Sequence, residues 1–280
     1  MESKNVFQAF TYPEPSGFGQ LSLKEGEKII LVTNDDGYLA NGIKCLVESL
    51  RGLGRIFVVA PDSPRSGFSA SFTAHAPIRL KKMNDDGEVT VYACSGTPVD
   101  CVKLAFHRFF HQRKPDLVIS GINHGGNDSI CVMYSGTMGA ALEACAVGVP
   151  AIGYSLLDVT KEADFSAAVA YTRSITEEVL ANPMPRGVVL NVNIPKSLDL
   201  KGVKVCRQGI GQWINEFHYV EGDENTDEAV FQVTGEYSYL EPEATDCDEY
   251  WLNKGYVTIV PNSVDYTDYG HLNTFKYLER

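Results

Sequence analysis

Positive charge is scarce in this sequence. Lys and Arg number 24 against 36 Asp and Glu, for a formal net charge of −12. Long nucleic acids are bound through clustered cations that neutralise backbone phosphates, so no DNA or RNA partner is expected. The deficit limits partner size and does not exclude phosphate, because one divalent cation reverses the local field in a small acidic site. Long hydrophobic runs are lacking as well. The most apolar stretch, residues 136 to 157, contains Glu143 and Pro150 and divides into a helix and a strand, so no membrane partner is expected. There is no C-x-x-C pair, and the cysteines at 45, 94, 101, 131, 145, 206 and 247 read as reduced thiols of a cytoplasmic protein. The opening MESKNVFQAFTYPEPSGFGQ has no basic segment followed by an apolar run, so no secretory signal is expected. The motifs G-x-x-x-x-G-K-[ST], H-E-x-x-H and G-x-S-x-G are missing too.

What is present is a globular composition, 44% hydrophobic and 21% charged over 280 residues. Residues 1–27, rich in Pro, Gly, Ser and charge, read as a loose arm. From Lys28 the pattern alternates. KIILVT, RIFVVAP, PDLVISG, VPAIGYSL and GVVLNVNIP are short apolar runs suited to strands buried on both faces. Ile43, Leu46, Val47 and Leu50 recur at helical spacing, and a second helix is predicted to start after Thr97, with Pro98 in its first position and Asp100 in its first turn. Further helices are predicted at Thr137 to Val147 and Phe165 to Leu180. IRLKKM and EVTVYACS form a predicted hairpin across Asn84-Asp85-Asp86-Gly87. The expected fold is α/β, a Rossmann-like, mainly parallel sheet over residues 28–195 with helices on both faces. A smaller β-rich region, residues 196–280, is expected to take part in subunit contacts.

In an open parallel sheet, ligands bind beyond the carboxyl ends of the strands. Three loops are expected at that edge: Asn34-Asp35-Asp36-Gly37, Asp62 to Gly67, and Gly121-Ile122-Asn123. Asn-Asp-Asp-Gly by itself is ordinary turn chemistry. The copy at 84–87 needs no function, whereas the copy at 34–37 joins a buried strand to a helix, where adjacent carboxylates are costly without a cation. Two carboxylates, a Ser hydroxyl and an Asn carbonyl suit one Mg²⁺ or Mn²⁺ ion. His124 lies nearest, but a His in a polar loop is more often an exposed hydrogen-bonding group. Ser135-Gly136-Thr137 opens a small-residue helix whose free amides suit a phosphoryl group; a plain N-cap is the alternative.

These residues resemble the SurE (survival protein E) nucleotidases. The resemblance rests on ILVTNDDG at 30–37, VVAPDSPRSG at 58–67, SGTPVDCVKLA at 95–105, SGINHGGN at 120–127 and YSGTMGAALEA at 134–144, with weaker matches at NVNIP, RQG and GYVTIVP. It implies a metal-dependent phosphomonoesterase for nucleoside 5′- and 3′-monophosphates, with short polyphosphate as a further substrate. It implies Asp35, Asp36, Ser66 and Asn123 as metal ligands, and Asn127, Ser135, Gly136 and Thr137 as the phosphate pocket, with Asn123 bridging the metal and phosphate regions. Asp36 is the favoured proton acceptor beside Asp35, and the Thr137 hydroxyl is expected to belong to the anion pocket and not to the cation site. The chain departs from the family pattern at Gly125-Gly126-Asn127-Asp128-Ser129 and at Cys131, which stands at an otherwise acidic position. Two other classes compete: a phosphatase forming an aspartyl phosphate, which would present Asp-x-Asp instead of adjacent carboxylates, and a non-catalytic nucleotide-binding module.

Overall fold

The computed structural model describes residues 24, 26–197, 199–223, 226 and 228–279, so the arm expected over 1–27 lies almost wholly outside the described residues. The chain runs β1 (Ile29–Thr33), α1 (Asn41–Leu50), β2 (Arg55–Pro61), β3 (Leu80–Asp85), β4 (Val89–Cys94), α2 (Pro98–Arg108) and β5 (Leu117–His124). A 3-10 helix (Ser129–Tyr134), α3 (Gly136–Ala146), β6 (Ala151–Leu156), α4 (Ser166–Ala181), β7 (Val188–Ile194) and β8 (Val203–Val205) follow. The last part holds β9 (Gly211–Ile214), β10 (Phe217–Asp223), β11 (Glu228–Val233), β12 (Glu236–Tyr239), α5 (Asp248–Asn253), β13 (Val257–Ser263) and a 3-10 turn (Leu272–Leu278).

Strand periodicity divides the core in two. Along β1, Ile30 and Val32 face one apolar layer while Ile29 and Leu31 face the other. The first layer receives Ile43, Leu46 and Leu50 of α1 and Ala168 and Ile175 of α4. The second receives Cys101, Val102 and Ala105 of α2 and Met138, Ala140 and Ala144 of α3. Both faces are therefore covered, which is why β1, β5 and β6 read as continuous apolar runs. Truncating a fully buried member such as Leu46 to Ala costs about 2–5 kcal/mol. α2 starts as its sequence requires: the Thr97 hydroxyl accepts from the Asp100 amide, and the Asp100 carboxylate accepts from the Thr97 amide.

The nine-stranded sheet has the order β3-β4-β2-β1-β5-β6-β7-β13-β8. From β4 to β7 neighbouring strands are parallel, and β3 and β13 add antiparallel strands at β4 and β7. The chain leaves β1 toward β2 and β4, then returns to build β5, β6 and β7 on the other side. The order thus reverses between β1 and β5, and a crevice opens there at the carboxyl edge. The sheet continues past residue 195, because β13 pairs with β7 and β8 pairs with β13. The strands outside it are two antiparallel ribbons, β10 with β11 and β9 with β12.

Candidate active site

The loop after β1 is held by its first residue. The Asn34 side chain accepts from the Gly37 amide at 3.2 Å and donates to the Gly37 carbonyl at 3.0 Å, and Gly37 has a φ of +99°, which favours glycine. With the asparagine closing the turn, both aspartates are released from that task. Asp35 is 4% exposed and points at the start of α3, where the Thr137 hydroxyl donates to its Oδ1 at 2.5 Å. The nearby Thr137 amide also favours the ionised carboxylate. This approach depends on Gly136, since a Cβ there would lie 2.9 Å from the Asp35 Cβ. The positive end of α3 supports the carboxylate. Burial nevertheless pushes the Asp35 carboxyl up to about 6, against the downward pull of the Thr137 hydroxyl and with a further upward push from Asp36. Asp36 is half-buried; burial raises its carboxyl as well, while the His124 amide, donating to Oδ2 at 3.1 Å, opposes the rise.

The other donors arrive from neighbouring strands. The sequence places Gly121-Ile122-Asn123 in a loop, but β5 runs on through it with a register shift, and Asn123 pairs with Ser155 of β6. α1 rests against this bulge through Gly42, where a Cβ would come 1.9 Å from the Ile122 carbonyl oxygen. The Asn123 amide donates to the Gly125 carbonyl at 2.8 Å, so its side-chain oxygen is the atom left for another donor or a cation. Ser66 lies on an exposed loop fixed at both sides. The Arg65 amide donates to the Asp35 carbonyl at 2.7 Å, and Ser69 bonds the carbonyls of Tyr134 and Met133. Gly139 makes room for this loop, because a Cβ there would meet the Ser69 carbonyl oxygen at 2.4 Å.

Asp35, Ser66, Asn123, Asn127 and Ser135 line one cavity of about 420 Å³, together with His124, Tyr134 and Cys131. That volume lies within the range of roughly 300–1,000 Å³ typical of small-molecule sites. Asp36 stands beside it on the His124 amide. Asn127 reaches the cavity from a buried polar ladder: its side chain donates to Ser155 at 2.7 Å, its amide donates to Asn193, and its carbonyl accepts from Asn191. Ser135 is an N-cap whose hydroxyl accepts from the Met138 amide at 3.0 Å. Thr137 lies deeper, at the start of α3 behind the cavity wall. It is fully buried, and its hydroxyl bonds Asp35. His124 lines the cavity with its ring packed on Phe165, the centroids 4.8 Å apart. The remaining wall, Trp213, Glu216, Val233 and Thr234, comes from the ribbons outside the sheet. No local motif marks those residues, and only the chain's return to this edge brings them in.

Among the described residues neither Asp35 nor Asp36 has a Lys or Arg ion-pair partner. Buried carboxylates without a cation are costly as anions, and carboxylate, hydroxyl and amide oxygens are the donors a hard divalent ion takes. The residues present therefore fit such an ion.

The sheet order and the cavity at its switch point define a Rossmann-like α/β protein with a small-ligand cavity lined by oxygen donors. A model of the Survival protein SurE family matches residues 30–215. The protein named 5′-nucleotidase SurE from Phocaeicola vulgatus is 48% identical over 257 residues, spanning 91% of this chain and 98% of its own. Its namesake from Flavobacterium johnsoniae is 46% identical over 260 residues, spanning 91% and 99%. The crystal structure of SurE protein from Aquifex aeolicus matches with a TM-score of 0.77 at 34% identity, over 90% of this chain and 100% of that one. This chain belongs to the SurE family.

Proposed function

We propose that this chain is a nucleotidase that hydrolyses nucleoside 5′- and 3′-monophosphates to nucleoside and phosphate, using one Mg²⁺ or Mn²⁺ ion held by Asp35, Asp36, Ser66 and Asn123. Short polyphosphate is a further substrate in this reading. The relatives named 5′-nucleotidase, matched over nearly their whole length, support the reaction class. The observation that carries the site is the meeting of Asp35, Ser66 and Asn123 on one cavity, with Asp36 beside it and no Lys or Arg paired to either carboxylate. A divalent ion in that place supplies positive charge beside the phosphoryl oxygens.

The protein's own groups divide the remaining work. Asp35, fixed by Thr137 and the start of α3, is a positioned ligand with little freedom to move a proton. Asp36 has one oxygen on the His124 amide and the other to accept a proton from the attacking water. Asn127 and Ser135 border the phosphate end of the cavity. The test is a panel of phosphomonoesters and short polyphosphate with purified protein: AMP turnover that stops with EDTA and returns with Mg²⁺ or Mn²⁺ supports the reading, and metal-independent turnover contradicts it.

The same reading makes the protein a cytoplasmic homodimer or homotetramer. No helix among the described residues is long and apolar enough to cross a membrane. Phe217, Phe231, Val233, Tyr266 and Phe275 are each more than half exposed, and apolar surface of this kind is commonly buried between subunits. Light scattering at micromolar concentration checks this: a mass of two or four chains is expected, and monomer alone contradicts it.

A further inference from the structure

One wall of the cavity is built by a residue that the chemistry above does not use. Trp213 of β9 lines the same cavity as Asp35 and Asn123, and 36% of its surface is exposed. A partly exposed indole on a surface ribbon would ordinarily be free to turn. This one is held. Its ring meets that of Tyr237 edge to face, with centroids 5.5 Å apart at 79°, and Cys131 lines the same cavity. Tyr237 is itself immobilised. It pairs with Trp213 across the β9–β12 ribbon and lies over Gly211, where a Cβ would come 1.9 Å from its hydroxyl. That hydroxyl donates to Glu249 at 2.6 Å and is hydrogen-bonded to the Ser129 hydroxyl. The indole is therefore anchored through two segments distant in sequence, while part of its surface remains open in a cavity of about 420 Å³, far more room than a phosphoryl group needs.

A rigid aromatic face in a cavity stacks on a planar ligand at little entropic cost, since its rotamer is already fixed. We propose that Trp213 is the platform on which the base of the nucleotide stacks, while the phosphate lies at the Asp35 and Asn123 end of the cavity. The inference rests on the nucleotidase reading and extends it: the enzyme recognises its substrates by the base, through stacking, and discriminates against phosphate esters that lack one.

Trp213→Ala is expected to raise KM for AMP about tenfold with kcat within about twofold, and to leave KM for ribose 5-phosphate within about twofold. Trp213→Phe is expected to recover most of the loss, which a merely misfolded ribbon would not allow. A second readout needs no turnover. The chain has two tryptophans, and adenosine alone is expected to quench the intrinsic fluorescence saturably in the wild type and not in Trp213→Phe. Equal KM increases for AMP and ribose 5-phosphate, or quenching that persists in Trp213→Phe, overturn the proposal. Absence of quenching in a wild type that hydrolyses AMP overturns it and leaves the nucleotidase reading intact. Adenosine quenching confined to the wild type in a protein that hydrolyses no nucleotide supports the platform and sinks the reading on which it was built.

Discussion

The tetrapeptide Asn-Asp-Asp-Gly occurs at 34–37 and again at 84–87, and its two copies carry opposite electrostatics. In the second copy the carboxylates themselves hold the turn. Asp85 accepts from the Gly87 amide, and Asp86 accepts from the amides of Glu88 and Val89. Each also has a cation: Lys82 holds the Asp85 carboxyl down to about 2, and Arg51 does the same for Asp86. In the first copy Asn34 closes the turn instead, and both carboxyls are raised by burial with no Lys or Arg partner. The glycine is left-handed in both, with φ of +99° at Gly37 and +93° at Gly87. Local turn chemistry is therefore shared. What differs is the fold around it, a hairpin at a sheet edge in one case and the switch point between β1 and β5 in the other.

The sharpest way to break this contrast is to neutralise one carboxylate in each copy. Asp36→Asn is expected to lower AMP hydrolysis at least about 100-fold, since it removes a ligand charge and the proposed proton acceptor. Asp86→Asn is expected to stay within about twofold. Equal losses in the two variants would refute the functional distinction.

The next largest effect is expected at the glycine that lets Asp35 reach α3. Gly136→Ala forces the helix start away from the carboxylate, and a displacement of that kind costs roughly 10- to 100-fold in kcat. Gly87→Ala has open space around its new Cβ, so it strains only a left-handed turn, at about 1 kcal/mol of stability, and leaves kcat unchanged. Circular dichroism melts alongside steady-state kinetics separate the two.

Thr137→Val tests whether that hydroxyl serves the cation site. Loss of its bond to Asp35 is expected to raise the Mg²⁺ concentration for half-activation about tenfold, with kcat largely restored at saturating metal. Weaker inhibition by inorganic phosphate with metal activation unchanged would return Thr137 to the anion pocket.

The smallest expected effects have opposite signs. In EDTA, the Asp35 carboxyl near 6 stands above its ordinary 3.8, so the metal-free fold binds the extra proton and loses stability as pH rises from about 4 through 6. Asp35→Asn removes that penalty and is expected to raise Tm by about 4 °C at pH 8, with little change at pH 4. Asp86 titrates below its ordinary value, so its contribution is present above pH 3.8 and fades as pH falls through about 2. Asp86→Asn is expected to lower Tm by no more than about 2 °C at pH 7, because the Arg51 pair is solvent-screened. Scanning calorimetry at the stated pH values checks both signs.

Much of this was legible in the sequence because the signals are local. The alternating burial of Ile29 to Val32, the Thr97 capping box and the hairpin at 84–87 each follow from a few adjacent residues. The convergence of Asp35, Ser66 and Asn123 was legible through strand order, which delivers their loops to one edge. Three features were not. Thr137 has the residue type of an anion pocket and faces Asp35 only because Gly136 lets β1 and α3 approach so closely. β13 lies beyond the β-rich ribbons in sequence and joins the main sheet by pairing with β7. Trp213, in an exposed aromatic stretch, becomes a cavity wall only through the fold, which sets its ring against Tyr237 from elsewhere in the chain.

The central claim, that the first Asn-Asp-Asp-Gly copy holds a divalent ion and the second does not, is tested most directly by Mn²⁺ binding followed through the electron paramagnetic resonance of the free ion. Wild type and Asp86→Asn are expected to bind one Mn²⁺ per chain with matching affinity, and Asp36→Asn to bind at least about 100-fold more weakly. Unchanged binding in Asp36→Asn, or loss of binding in Asp86→Asn, would contradict the account.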